Sequence, residues 1–169
     1  GGAPTKVGVA LVDILTGQNA VIGIQAALRA RDTPGTAQSG RGQRVSVTLL
    51  GSLLSALANQ ASSTLETGVS PERMGNAHPS IAPYETLRSA DQPIAVAVGT
   101  DAQFGRLCEA IGAPELATDR RFATNRDRVA HRDALRELLE ARLATRNADP
   151  LIDRLTALAL PARRVNSVG

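Results

Sequence analysis

Apolar residues recur at helical spacing from Ile14 onward (Leu15, Val21, Ile24, Leu28), which predicts a helix running to about Arg31 and apolar on most of its circumference. The run Val7 to Val12 before it is short, apolar and Gly-punctuated, and predicts a buried extended segment. Asp13 therefore falls at or near the helix N-cap, where a carboxylate accepts bonds from first-turn amides and its charge is favoured by the helix dipole. Gly17 and Gly23 cost helix propensity, which suggests that another backbone or a ligand approaches there. Turn formers fill Asp32 to Gln43 and predict a surface loop. Arg44-Val45-Ser46-Val47-Thr48 alternates as a strand does, and Leu49, Leu50, Leu53, Leu54 and Leu57 return to helical spacing.

From Thr67 to Pro83 the periodicity stops and Gly, Pro, Ser and Asn take over, as in an interdomain linker. Tyr84 to Leu87 and Pro93 to Val98 then read as a hairpin turning at Ser89 to Gln92. Thr100 with Gln103 fits a capping box, and Phe104, Leu107, Cys108 and Ile111 form the stripe of a helix that Gly112 ends. A second capping box, Thr124 with Asp127, opens a longer helix with Leu135, Leu138, Leu139 and Leu143 on one face. Another helix follows with Leu151, Ile152, Leu155 and Leu158. The expected fold class is α/β: part of a layered, nucleotide-binding-like large domain over 1–66, a linker or active-site loop over 67–83, and a small α+β domain of hairpin plus helices over 84–169. The strands completing the large layer are expected before Lys6, so the chain reads as a piece of a longer protein.

Composition narrows the function classes. The 169 residues carry 19 Lys and Arg against 16 Asp and Glu, interleaved rather than clustered, which argues for a solvated surface and against a nucleic-acid footprint. Tyr84, Phe104 and Phe122 are the only aromatic residues, too few for a base-stacking platform. A single cysteine, Cys108, excludes an internal disulfide and a Cys-rich metal site; its place in an apolar stripe marks it as a small buried hydrophobe. The expectation is no metal and no nucleic-acid partner. With no secretory signal and no apolar run of bilayer length, the expected compartment is the cytoplasm, without a membrane partner. The charges from Arg120 to Arg146 read as the wet face of helices, with an anion-docking surface as the alternative.

Two stretches carry a resemblance. Gly2-Ala3-Pro4-Thr5-Lys6-Val7-Gly8-Val9-Ala10 with Val12-Asp13-Ile14-Leu15-Thr16-Gly17, and Met74-Gly75-Asn76-Ala77-His78-Pro79-Ser80-Ile81-Ala82-Pro83-Tyr84-Glu85, resemble segments of the family III CoA-transferases (CaiB/BaiF-like), a group that includes the α-methylacyl-CoA racemases. Asp119 to Asn125 and Leu160 to Val168 resemble that family's small domain. The resemblance implies transfer of coenzyme A between an acyl-CoA and a carboxylic acid, with Asp13 as the catalytic residue forming an acyl anhydride. It also implies a glycine-containing loop over the site, for which Gly75, Asn76 and His78 are the candidates as oxyanion donors and cofactor-binding residues, and an interlocked homodimer at full length. Asp13 and that loop are expected to line one cleft. Against these stand plainer readings, in which Asp13 only caps its helix and His78 only packs. The racemase alternative would use Asp13 with Asp101, although Asp101 also reads as a plain first-turn acid. A third alternative, an inert folding or dimerisation unit, would be folded and show no CoA affinity.

Overall fold

The computed structural model describes residues 5–169, so the Gly2-Ala3-Pro4 part of the first motif lies outside the described residues. The chain forms two compact units, one running to Arg73 and the other spanning Met74–Gly169.

The first unit is helical. Helix α1 covers Leu11–Asp32, α2 Leu49–Ala56 and α3 Ala58–Thr67. The buried extended run expected over Val7 to Val12 is not formed: Val7 and Val9 are exposed, Gly8 and Val9 form a bend, and Leu11 and Val12 already lie in the first turn of α1. The strand expected at Arg44 to Thr48 is not formed: the segment has no regular secondary structure and pairs with no described strand. Alternating side chains specify a pleat only where a neighbouring strand supplies the ladder. Instead the segment lies along α1, where a Cβ on Gly23 would come within 2.8 Å of Val45 Cγ1. Gly23 is approached closely by the Val45 side chain rather than by the expected backbone or ligand, and nothing comes within 4 Å of a Cβ on Gly17. Thr48 caps α2 by accepting from the Gly51 amide at 3.0 Å, and Asn19 ties α1 to α2 through Ser52 Oγ at 3.0 Å.

No residue of α1 is buried, and Ile14, Val21, Ile22 and Ile24 are all about half exposed or more. By length and composition α1 is sufficient to cross a bilayer, which corrects the expectation that no apolar run reaches that length. A helix from the interior of a layered domain meets the same criterion, and α1 carries Asp13, Gln18, Asn19 and Gln25 along its length.

The second unit is α+β with its own core. Strands β1 (Tyr84–Arg88) and β2 (Pro93–Ala97) form the expected hairpin, and β3 (Ala162–Arg164) adds antiparallel to β2. Leu87 faces Ile94 and Glu85 faces Val96 on the inner side, while Tyr84 and Arg88 point outward. Helices α4 (Asp101–Ala110), α5 (Glu115–Thr118), α6 (Asn125–Ala130), α7 (Arg132–Leu143) and α8 (Ala148–Ala157) enclose Phe104, Leu107, Ile111, Phe122, Leu139 and Leu155 against that face. The Thr100 capping box is complete, and Gly112 follows α4 at φ +71°, where a side chain would be strained.

The helix expected to run on from Thr124 is broken at His131, whose φ of −116° and ψ of 29° end α6 and begin α7. Thr124 accepts from the Asp127 amide as a cap should, but the Asp127 carboxylate accepts from the Thr124 hydroxyl rather than from its backbone. Leu138, expected on the apolar face, is 37% exposed, because it lies off the line of Leu135, Leu139 and Leu143. Leu158, expected in the stripe of α8, is its exposed C-cap.

Candidate active site

Asp13 is the third residue of α1, not its N-cap. Ala10 holds that position and offers no side-chain cap. The Asp13 side chain is exposed and makes no hydrogen bond or ion pair with any described residue. Asp13 is thus near the N-cap, as expected, but its carboxylate accepts none of the expected first-turn amide bonds and keeps its lone pairs free.

The second motif is built in detail. Met74 to Ala77 is a turn closed by the Ala77 amide on the Met74 carbonyl at 3.1 Å, with Gly75 at φ +60°, a backbone state that glycine enters without strain. The Gly75 and Asn76 amides bond to no other described residue, and the Asn76 side chain donates to Thr86 Oγ1 at 3.3 Å. His78 is half-buried and stacked on Tyr84, with ring centroids 5.0 Å apart and planes 12° from parallel. Its Nδ1 accepts the Ser80 amide at 3.2 Å. A backbone N–H can only donate, so the neutral ring carries its proton on Nε2, which is left as a donor.

The loop that follows is gripped by α6 and α7. Arg132 donates to the His78 carbonyl at 3.0 Å and to the Pro79 carbonyl at 3.2 Å. Asn125 donates to the Ser80 carbonyl at 2.8 Å and accepts the Ala82 amide at 3.1 Å. Arg128 is fully buried and donates to the Ala82 carbonyl at 2.7 Å, the Phe122 carbonyl at 3.0 Å and Asp101 Oδ1 at 2.8 Å, with its guanidinium 4.5 Å from the centre of the Phe104 ring.

One expectation changes here. The charge run from Arg120 to Arg146 is not only a wet face, since Arg128 lies in the core and Arg132 is half-buried. Asp101 is the first-turn acid of α4, as the plainer reading has it, and in addition the partner of Arg128. The signal for the clasp was in the spacing: Asn125, Arg128 and Arg132 continue, at steps of three and four, the stripe of Leu135 and Leu139. Cys108 is buried as expected, and burial pushes its thiol up to about 12. No group of His, Cys, Asp and Glu suited to a metal ion occurs among the described residues.

A sequence model of CoA-transferase family III matches residues 1–169, and the chain belongs to that family. Over 167 residues it is 41% identical to a succinate–glutarate CoA-transferase of Agrobacterium fabrum, covering 99% of this chain and 40% of the relative. It is 37% identical to an acetyl-CoA:oxalate CoA-transferase of Acetobacter aceti, covering 95% of this chain and 40% of that protein. Among solved structures, a CaiB/BaiF family protein from Brucella suis superimposes with a TM-score of 0.72 at 47% identity, covering 98% of this chain and 42% of that one. A Mycobacterium tuberculosis protein reaches a TM-score of 0.84 at 26% identity, covering 99% and 42%. The chain thus spans about 40% of the length of the curated relatives it matches. Both curated relatives are named as CoA-transferases.

Proposed function

We propose that the full-length protein containing this chain is an acyl-CoA:carboxylate CoA-transferase in which Asp13 is the nucleophile. The observation that carries the reading is the unpartnered Asp13 carboxylate in the first turn of α1, within the motif that resembles the family's catalytic segment. A carboxylate held by an arginine or by cap amides would have to surrender those bonds before attacking; this one has none to lose.

In the proposed reaction an Asp13 oxygen bonds to the acyl carbon of the donor thioester, the C–S bond breaks, and CoA leaves as a thiolate. The acceptor carboxylate attacks the Asp13 carboxyl carbon of this anhydride, and that carbon's C–O bond to the donor breaks, so the donor acid leaves as a carboxylate. The thiolate then attacks the acceptor's acyl carbon, whose bond to the Asp13 oxygen breaks, giving the new thioester and restoring the Asp13 carboxylate. Each step passes through an oxyanion, for which donors must be in place. The free Gly75 and Asn76 amides and the His78 Nε2–H support their assignment as the acyl-CoA-binding loop. In the same reading residues 1–66 belong to a large domain, 67–83 to a linker and active-site loop, and 84–169 to a small domain. Acyl donor and acceptor are dicarboxylic or similar small acids, as the names of the relatives suggest.

The test is an acceptor-dependence assay on full-length protein. Conversion of acyl-CoA to a second acyl-CoA is expected only when a free acid is added, and is expected to vanish in Asp13→Asn. Transfer that survives Asp13→Asn would remove the carboxylate from the mechanism.

A further inference from the structure

The grip of α6 and α7 on residues 78–82 has a feature that packing alone does not require: every hydrogen bond they make to the loop is to its backbone. Arg132 takes the carbonyls of His78 and Pro79, Asn125 takes the carbonyl of Ser80 and the amide of Ala82, and Arg128 takes the carbonyl of Ala82. Three side chains thus fix the path of five successive residues whatever their side chains are. Burying a guanidinium costs several kcal/mol before its bonds are counted, and an apolar residue at position 128 would fill the same core position without that cost. Its three hydrogen bonds and the Phe104 ring offset the penalty, and what the arrangement adds is a single loop conformation.

Resting on the reading above, we propose that Asn125, Arg128 and Arg132 are positioning residues that hold residues 78–82 so that the His78 ring presents its Nε2–H in a fixed direction. The ring is set from two sides: Tyr84 stacks on its face and the Ser80 amide occupies Nδ1. Tyr84 is set by β1, and its carbonyl accepts the His78 amide at 2.9 Å. The Ser80 partner depends on the backbone that the clasp holds, because Arg132 fixes the carbonyls of His78 and Pro79, and Asn125 fixes that of Ser80. If Arg132 is lost, residues 78 and 79 lose two of these ties and the donor wanders. A displacement of about 1 Å in such a group costs on the order of 100-fold in rate.

The experiment uses full-length protein and three variants: Arg132→Ala, Arg132→Lys and Asn125→Asp. Arg128 is left intact because its removal threatens the fold. For Arg132→Ala, kcat is expected to fall roughly 10- to 100-fold while KM for acyl-CoA stays within about threefold, as for loss of an interaction used in the transition state. Lysine keeps the charge without the two-pronged reach, so Arg132→Lys is expected to recover only part of the rate. Asn125→Asp still accepts the Ala82 amide but repels the Ser80 carbonyl. Its kcat is expected to fall while hydrogen exchange at Ala82 stays slow.

Thermal midpoints and exchange at residues 78–82 are measured on the same samples. A kcat within twofold of wild type in both Arg132→Ala and Asn125→Asp would overturn the proposal. So would rate loss in Arg132→Ala that lysine restores completely, since that would assign the effect to charge alone. Should the wild-type protein show no transfer at all, the functional reading fails by itself. Exchange at the His78 and Ser80 amides, whose N–H groups the Tyr84 carbonyl and His78 Nδ1 accept, would then still report whether Arg132 holds this part of the loop, with unchanged protection there in Arg132→Ala overturning the clasp.

Discussion

At the scale of single residues, burial and partnership decide what a titratable group does. Cys108 is enclosed by the core of the second unit, and with its thiol pushed up to about 12 it stays protonated where a free cysteine ionises. A thiol reagent at pH 8 is therefore expected to leave native protein unlabelled and to label it once urea unfolds it; rapid labelling of native protein would contradict the burial. The sign for stability follows. The unfolded thiol releases its proton above about 9 and the folded one does not until about 12, so Cys108 contributes a loss of stability as pH rises across that window. Its role was legible in the sequence because an apolar stripe at helical spacing leaves a cysteine little else to be. Arg128 was not, since a charged residue within a charge run reads as solvated, and only its place in line with Leu135 and Leu139 marks it as interior. Asp13 was read to within three positions of the helix start, but whether it spends its lone pairs on the cap is a matter of backbone dihedrals at Ala10.

At the scale of elements, local chemistry settles the ends and tertiary partners settle the rest. The Thr100 and Gln103 box closes both ways, with Thr100 Oγ1 accepting the Gln103 amide at 3.1 Å and Gln103 Oε1 accepting the Thr100 amide at 3.1 Å. Thr100→Ala is expected to lower stability by about 1 kcal/mol in urea denaturation, and no change would mean that α4 is held by packing alone. Asp91 in the hairpin turn accepts the Ala148 amide at the start of α8 at 2.8 Å, and this bond holds its carboxyl below the ordinary value of 3.8. The Arg121 guanidinium does the same for Asp119. Depressed carboxyls give stability that is complete above their unfolded values and is lost as pH falls through the folded ones. The urea midpoint is therefore expected to be flat from pH 7 to about 5 and to drop below about 4, and Asp91→Asn should flatten part of that drop. The hairpin and the boxes could be read because their signals lie within a few residues. The strand at Arg44 to Thr48 could not, because its alternation has no ladder to join here. β3 could not either, since three residues give no period and its partner β2 lies far away in sequence.

At the scale of the whole molecule, the apolar residues divide unevenly. The buried core lies entirely in the second unit, whereas Leu49, Leu50, Leu53, Leu54 and Leu57 of the first unit are exposed. Residues 74–169 expressed alone are accordingly expected to unfold in one cooperative transition. Residues 1–73 alone are expected to bind a hydrophobic dye and aggregate; a monomeric, dye-free 1–73 would contradict this account of its surface. The central claim, that Asp13 carries the acyl group during CoA transfer, has a direct chemical test on full-length protein. Hydroxylamine added during turnover should convert the Asp13 side chain to a hydroxamate, found by mass spectrometry on the peptide containing that residue, and only when acyl-CoA is present. An unmodified Asp13 peptide, recovered from protein that is turning over acyl-CoA in the presence of hydroxylamine, would contradict it.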